Sequence, residues 1–278
     1  MKQLIIYIFF SITFLSCQPS TFYQLYNVEP SQKTIKKSES SFEYENKYCK
    51  ISYNFWSVSG NVGFVFHNKT SKSITLNLDE CFFIKNGFAE DYYQNRIFTN
   101  TKGSQISQSS SSGASKQITG FNLAGYLQTN GASASNSAIG TLKSENSISY
   151  EERPKIIIPP NSSKYIRGFT VNSKSIRDCD LIRYPKSKSN SSVNFSEKNS
   201  PLNFKNIICY TVGDKKVTTQ NQFYVSNVTN YPSSSFYYYK NTEFCGEKSY
   251  TQKKFFKFYD LNKFYVKYSK TDGGYVKH

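Results

Sequence analysis

The side chains able to carry covalent or acid–base chemistry are few and scattered along the chain. His67 and His278 are its only histidines, too few for HExxH or any multi-histidine metal site. A Ser-His-Asp relay would have to use one of them, and neither GxSxG nor SxxK is present to supply the nucleophile. There is no P-loop and no GxGxxG, so no cofactor is expected. A Cys–His pair would need His67 beside a core cysteine. Paired carboxylates for sugar hydrolysis could come from Asp79-Glu80, Glu90-Asp91 or Glu151-Glu152. Each pair borders a predicted strand end or loop, where acids are ordinarily solvated. The chain therefore reads as non-enzymatic, with a carboxylate-based hydrolase as an alternative.

Cysteine carries a different chemistry here. Residues 1–16, MKQLIIYIFFSITFLS, place one positive charge at Lys2 before an apolar run from Leu4 to Leu15. That run has the length of a signal-peptide core and falls short of the ~20 residues that span a bilayer. It ends in Phe14-Leu15-Ser16-Cys17, which resembles the lipobox of bacterial lipoproteins, with the favoured leucine one position nearer the cysteine. The resemblance implies cleavage before Cys17, diacylglycerol on its sulfur and acylation of the new amino group. Several acyl chains anchor far more firmly than one. After Cys17, Gln18-Pro19-Ser20-Thr21 has no inner-membrane-retaining aspartate and no acidic cluster resembling a surface-export signal. The expected address is the outer membrane, facing the periplasm.

Five cysteines remain once Cys17 is lipidated. Cys179 (in Arg-Asp-Cys-Asp) and Cys245 (in Phe-Cys-Gly-Glu) sit in polar, turn-like contexts and could form a disulfide. Cys49, Cys81 and Cys209 lie in apolar, strand-like runs and read as buried free thiols. No CxxC occurs, so no zinc or other metal site is expected.

Removing residues 1–16 leaves 262 of 278, ample for a core. Lysine and arginine outnumber acids 35 to 19, a net charge of +16, or +15 without Lys2. Arginine supplies only five of those cations, Arg96, Arg153, Arg167, Arg177 and Arg183. Nucleic-acid readers favour arginine for bidentate contacts, so dispersed lysine argues against a nucleic-acid groove. Anionic glycans, lipid headgroups or acidic proteins are the partners a positive exported surface would meet.

These residues must be carried by strands. In Cys49-Lys50-Ile51-Ser52-Tyr53-Asn54-Phe55-Trp56 apolar or aromatic side chains fall on alternate positions, the mark of a half-buried strand. Val62–His67, Ile74–Leu78 running on to Ile84, Lys155–Ile158, Lys164–Val171, Leu202–Val212 and Gln222–Val228 follow. Lys254–Tyr259 and Lys263–Tyr268 read as a closing pair. Asn86-Gly87 marks a tight turn, and Pro159-Pro160 stops a strand for want of a ladder donor. Residues 17–45 read as a polar tether on which Phe22, Tyr23, Leu25 and Tyr26 could dock. Residues 101–147, rich in Ser, Gly and Ala, read as an insertion too polar to order itself; as a recognition loop it would grip through Phe121–Leu127. About nine strands without helical periodicity predict one all-β, antiparallel Ig-like or fibronectin-like sandwich over residues 46–270, with long loop insertions.

The strand, "HNKTSKSI" turn and strand of residues 62–78 resemble Ig-like and fibronectin-like modules of exported bacterial proteins. Cys49–Thr99 and Ile156–Tyr268 are similar to uncharacterised lipoproteins of the Bacteroides group, through "IIIPPNSSKYIRGF" (156–169), "YPKSK" (184–188) and "FYVSNVTNYP" (223–232). The resemblance implies an envelope address and a sandwich, and assigns no activity. Among the 23 Tyr and 23 Phe, Tyr237-Tyr238-Tyr239 is the densest cluster and the candidate contact patch. The expected function is a lipid-anchored binding or envelope-structural module, with a surface adhesin or glycan-binding protein as the alternative.

Overall fold

The computed structural model describes residues 21–103, 120–121, 127–128, 145–186 and 191–278. The leader, Cys17 and most of the Ser/Gly/Ala-rich insertion, Leu123 included, lie outside the described residues. In chain order the strands are β1 (Thr21–Pro30), β2 (Ile35–Lys37), β3 (Phe42–Glu45), β4 (Cys49–Tyr53), β5 (Phe64–Asn68), β6 (Ile74–Asn77), β7 (Phe82–Lys85) and β8 (Phe88–Asp91). Then come β9 (Ile97–Gly103), β10 (Gly120–Phe121), β11 (Leu127–Gln128), β12 (Glu145–Glu151), β13 (Lys155–Ile158), β14 (Ser163–Ile166), β15 (Ser175–Arg177) and β16 (Ser191–Asn194). The last six are β17 (Asn203–Val212), β18 (Lys215–Pro232), β19 (Tyr237–Phe244), β20 (Glu247–Phe256), β21 (Lys263–Ser269) and β22 (Tyr275–Lys277).

Two antiparallel sheets face each other, and the protein is an all-β sandwich as its alternation predicts. The larger has nine strands along the path β13-β6-β17-β18-β1-β21, with β16, β7 and β8 attached beside it. The smaller is β14-β5-β4-β3-β2. Their facing side chains form one aromatic core. Phe223 of the large sheet lies edge-on to Tyr53 (5.2 Å) and Phe55 (5.0 Å), and Phe66 of the small sheet meets Tyr210 at 5.2 Å. Offset and edge-on rings of this kind add to the area they bury.

Three expectations need correcting. The tether is mostly folded: β1 lies between β18 and β21 inside the large sheet, with Tyr26 and Val28 fully buried. Its apolar residues supply too much burial to leave in water, and Tyr26 stacks on Phe264 at 4.5 Å. The folded domain thus takes in β1 from Thr21 onward, and β22 carries it to Lys277 by pairing with β15. Secondly, the closing pair is not a hairpin. β21 pairs with β1, while β20 pairs with β19 in a separate two-stranded ribbon. Thirdly, the strands outnumber the expected nine, because strands of two to four residues such as β2, β8, β15 and β22 are too short for alternation to show.

The Asn86-Gly87 turn is as expected. Both residues have positive φ (47° and 87°), the backbone of a two-residue hairpin that Gly and Asn tolerate, and it joins β7 to β8. Asn68 ends β5 fully buried. Its amide donates to the carbonyls of Lys72 (2.8 Å), Ile158 (3.1 Å) and Pro159 (3.0 Å), and its oxygen accepts from Thr70 N (2.8 Å). One side chain thus ties the "HNKTSKSI" turn to the diproline turn.

Candidate functional site

β13 and β14 are the edge strands of the two sheets, and the short 159–162 turn joins them. Where the sheets part beside them, an open groove of about 1130 Å³ is left. It is lined by residues of four segments, among them Tyr93, Arg96, Arg153, Lys164, Tyr165 and Arg167, over a floor that includes Leu78 and Ile156. Three of the chain's five arginines therefore meet here.

Each wall has a local cause. Arg96 precedes β9, and Glu152 follows β12, the strand that pairs with β9. The Arg96 Nε donates to Glu152 Oε1 at 3.1 Å and its Nη2 bonds the same oxygen; Nη2 also donates to the Tyr92 carbonyl at 3.3 Å. The backbone amides of Gln94 (2.9 Å) and Arg96 (3.2 Å) donate to Glu152 Oε2. Burial alone would raise the Glu152 carboxyl, but these donors outweigh it and hold the carboxyl below its usual range. This clamp closes the end of the β9–β12 pair that borders the groove.

On the opposite wall, Gly63 and Gly168 let two backbones touch. A Cβ on Gly168 would lie 2.3 Å from the Gly63 nitrogen, so only glycine permits this approach. Asn61 completes it, accepting from Gly63 N (3.0 Å) and donating to the Tyr165 hydroxyl (3.0 Å). The result presents Tyr165 half-buried, with Lys164 and Arg167 exposed on either side. Burial raises the Tyr165 phenol, and the Asn61 bond and the Arg167 charge offset only part of that rise. Among the described residues no acid forms an ion pair with Arg153, Lys164 or Arg167. The exposed Glu151 and the Arg96-bound Glu152 also line the groove, so its four cations exceed its acids by two, and with tyrosine rings beside them they favour an anion.

The other sequence candidates fall elsewhere. His67 bonds Ser163 (2.8 Å) on the outer face of the small sheet, whereas Cys49 points into the core, so the two do not meet. His278 bonds Asp178 at 2.9 Å. Glu90 and Asp91 are exposed on β8. Glu80 pairs with Lys216 (2.6 Å) and accepts the Cys209 thiol at 2.9 Å, a neighbour that raises the thiol further after burial has done so. Cys49, Cys81 and Cys209 are buried free thiols, as expected; burial pushes Cys49 up to about 11 and Cys81 up to about 12. Cys179 and Cys245, which could have formed a disulfide, are both exposed and free. Cys245 turns the tip of the β19–β20 ribbon at φ 51°, while Cys179 lies in the loop after β15. Tyr237 is half-buried and Tyr238 and Tyr239 are exposed, all on β19. The groove itself was not read from sequence. Its available signal was the rarity of arginine, with two of its three groove arginines flanking "PKIIIPPNSSKYI".

Fold and groove together define an all-β protein with a basic, tyrosine-lined cleft at the open edge of a sandwich. Comparison of the chain with protein-family models, with curated proteins and with solved structures finds no match.

Proposed function

We propose that the chain is a non-enzymatic, lipid-anchored binding protein of the bacterial envelope, held at the outer membrane through Cys17, and that its arginine groove takes an anionic glycan. Arg153 and Arg167, gathered in one groove beside the Glu152-bound Arg96, carry this reading, in a chain where 30 of 35 cations are lysine. Guanidinium forks match carboxylate and sulfate bidentately, and lysine does not. Tyr93 and Tyr165 offer rings on which a sugar face can stack. Glu152, with both oxygens engaged by Arg96 and two amides, is poorly placed for acid–base work, which supports binding over hydrolysis. The Cys17 lipobox and the resemblance to Bacteroides-group lipoproteins support the address.

Isothermal titration of the Cys17→Ala chain with uronic-acid and sulfated oligosaccharides tests the reading. Arg153→Ala with Arg167→Ala is expected to weaken binding by roughly tenfold or more, the scale of a lost charge-assisted bond. Equal binding by the double variant would refute the groove assignment.

A further inference from the structure

The β19–β20 ribbon is a second basic, aromatic feature, and among the described residues most of its side chains are exposed. Its two strands pair only with each other. An isolated two-stranded hairpin is marginal in water, and this one is held by its base. Its base is seated by one face: Tyr237 lies edge-on to Tyr23 at 5.9 Å, Phe256 packs on Trp56 at 5.5 Å, and the Lys254 Nζ sits 3.7 Å from the Tyr237 ring centre. The other face presents Tyr238 stacked on Phe255 (5.6 Å) and, in register beyond them, Lys240 directly opposite Lys253. Like charges facing each other across a ladder repel, and no acid forms an ion pair with either lysine among the described residues. Nearer the tip, Phe244 is 82% exposed and Tyr250 fully so.

The ribbon's position names what it meets. Phe22 pairs with Pro232, the last residue of β18, and Tyr23 stacks on Phe236 at 4.5 Å, immediately before β19. The ribbon therefore springs from the sheet end at which β1 enters. Cys17 precedes Thr21 by four residues, a reach of at most about 14 Å. A bilayer holding lipid on Cys17 lies within that reach of the chain's entry into the sheet, beside the ribbon's base. We propose that the ribbon is a membrane-contacting finger, laying Lys240 and Lys253 on anionic phospholipid headgroups while Tyr238, Phe244 and Tyr250 settle at the interface. Tyrosines favour that depth, and lysine stems bury while their charges stay wet. This rests on the lipid-anchor part of the proposed function, and it gives the protein a fixed orientation on its membrane.

The test uses the mature chain with Cys17→Ser and Cys179→Ser, which leaves Cys245 at the ribbon tip as the exposed thiol. An environment-sensitive fluorophore on Cys245 is read with phosphatidylethanolamine vesicles containing phosphatidylglycerol and with phosphatidylcholine vesicles. Blue-shifted emission and binding on the anionic vesicles are expected, with Lys240→Gln plus Lys253→Gln weakening binding roughly tenfold. Phe244→Ser with Tyr250→Ser should abolish the blue shift. Trp56, packed at the ribbon's base, reports whether each variant keeps the ribbon seated. A probe that stays in water on every vesicle overturns the proposal, as does binding lost with Arg153→Gln plus Arg167→Gln but not with the lysine changes. Self-association through the ribbon without vesicle binding would also overturn it, in favour of a second copy. Palmitate labelling of Cys17 tests the anchor separately, so either reading can fail alone.

Discussion

Glu152 shows how much of the groove depends on single side chains. Four donors from Gln94 and Arg96 converge on its two oxygens. Because its folded pKa is depressed, the stability it contributes is present above the unfolded value of about 4.3 and is lost as pH falls through the lower folded value. Protection factors of the Gln94 and Arg96 amides, corrected for the pH dependence of intrinsic exchange, should therefore fall in acid, and Glu152→Gln should show that lower protection already at neutral pH. Unchanged protection in both would mean the clamp does not hold that end of the β9–β12 pair. The cysteines give a second residue-scale test. Cys179 and Cys245 should react with a thiol reagent in the native Cys17→Ser protein, and all five thiols only after unfolding. A native count of zero would restore the disulfide. The sequence distinguished buried from exposed cysteines through their neighbours, but polar context alone could not say whether two exposed thiols approach each other.

At the scale of elements, β1 is the strand that composition hid. Its apolar residues were visible, yet flanking Lys and Glu made the segment resemble a tether, and only pairing with β18 and β21 reveals its role. β4, β5, β17 and the Gln222–Val228 part of β18 were legible because one face of each is buried, which writes period two into the sequence. The β19–β20 ribbon has little buried face, so β19 shows in the sequence as an aromatic cluster without a strand's alternation. Two joints should prove sensitive. Asn68→Ala strips donors from three carbonyls and should cost about 1–3 kcal/mol in denaturant unfolding. Gly168→Ala drives a methyl into the Gly63 backbone and should cost about 1–3 kcal/mol while displacing Tyr165 and Arg167. A stability change within experimental error in either variant would mean that joint relaxes freely.

Across the whole molecule, lysine and arginine are distributed differently. Dispersed lysine gives a generally positive surface, while arginine is confined to two places. Arg96, Arg153 and Arg167 line the groove, and Arg177 and Arg183 stack over Tyr275 at 5.2 Å each. The ribbon and the entry of β1 share one end of the large sheet. The lipid, the finger and the groove would thus be held in fixed relation by one sandwich. The central claim is that the arginine groove is the binding site, and five arginines make it directly observable. In a titration of the Cys17→Ala chain with the tightest-binding acidic oligosaccharide, NMR of the arginine Nε–H groups should show Arg96, Arg153 and Arg167 shifting while Arg177 and Arg183 stay in place. Shifts confined to Arg177 and Arg183, or binding that leaves all five unmoved, would contradict it.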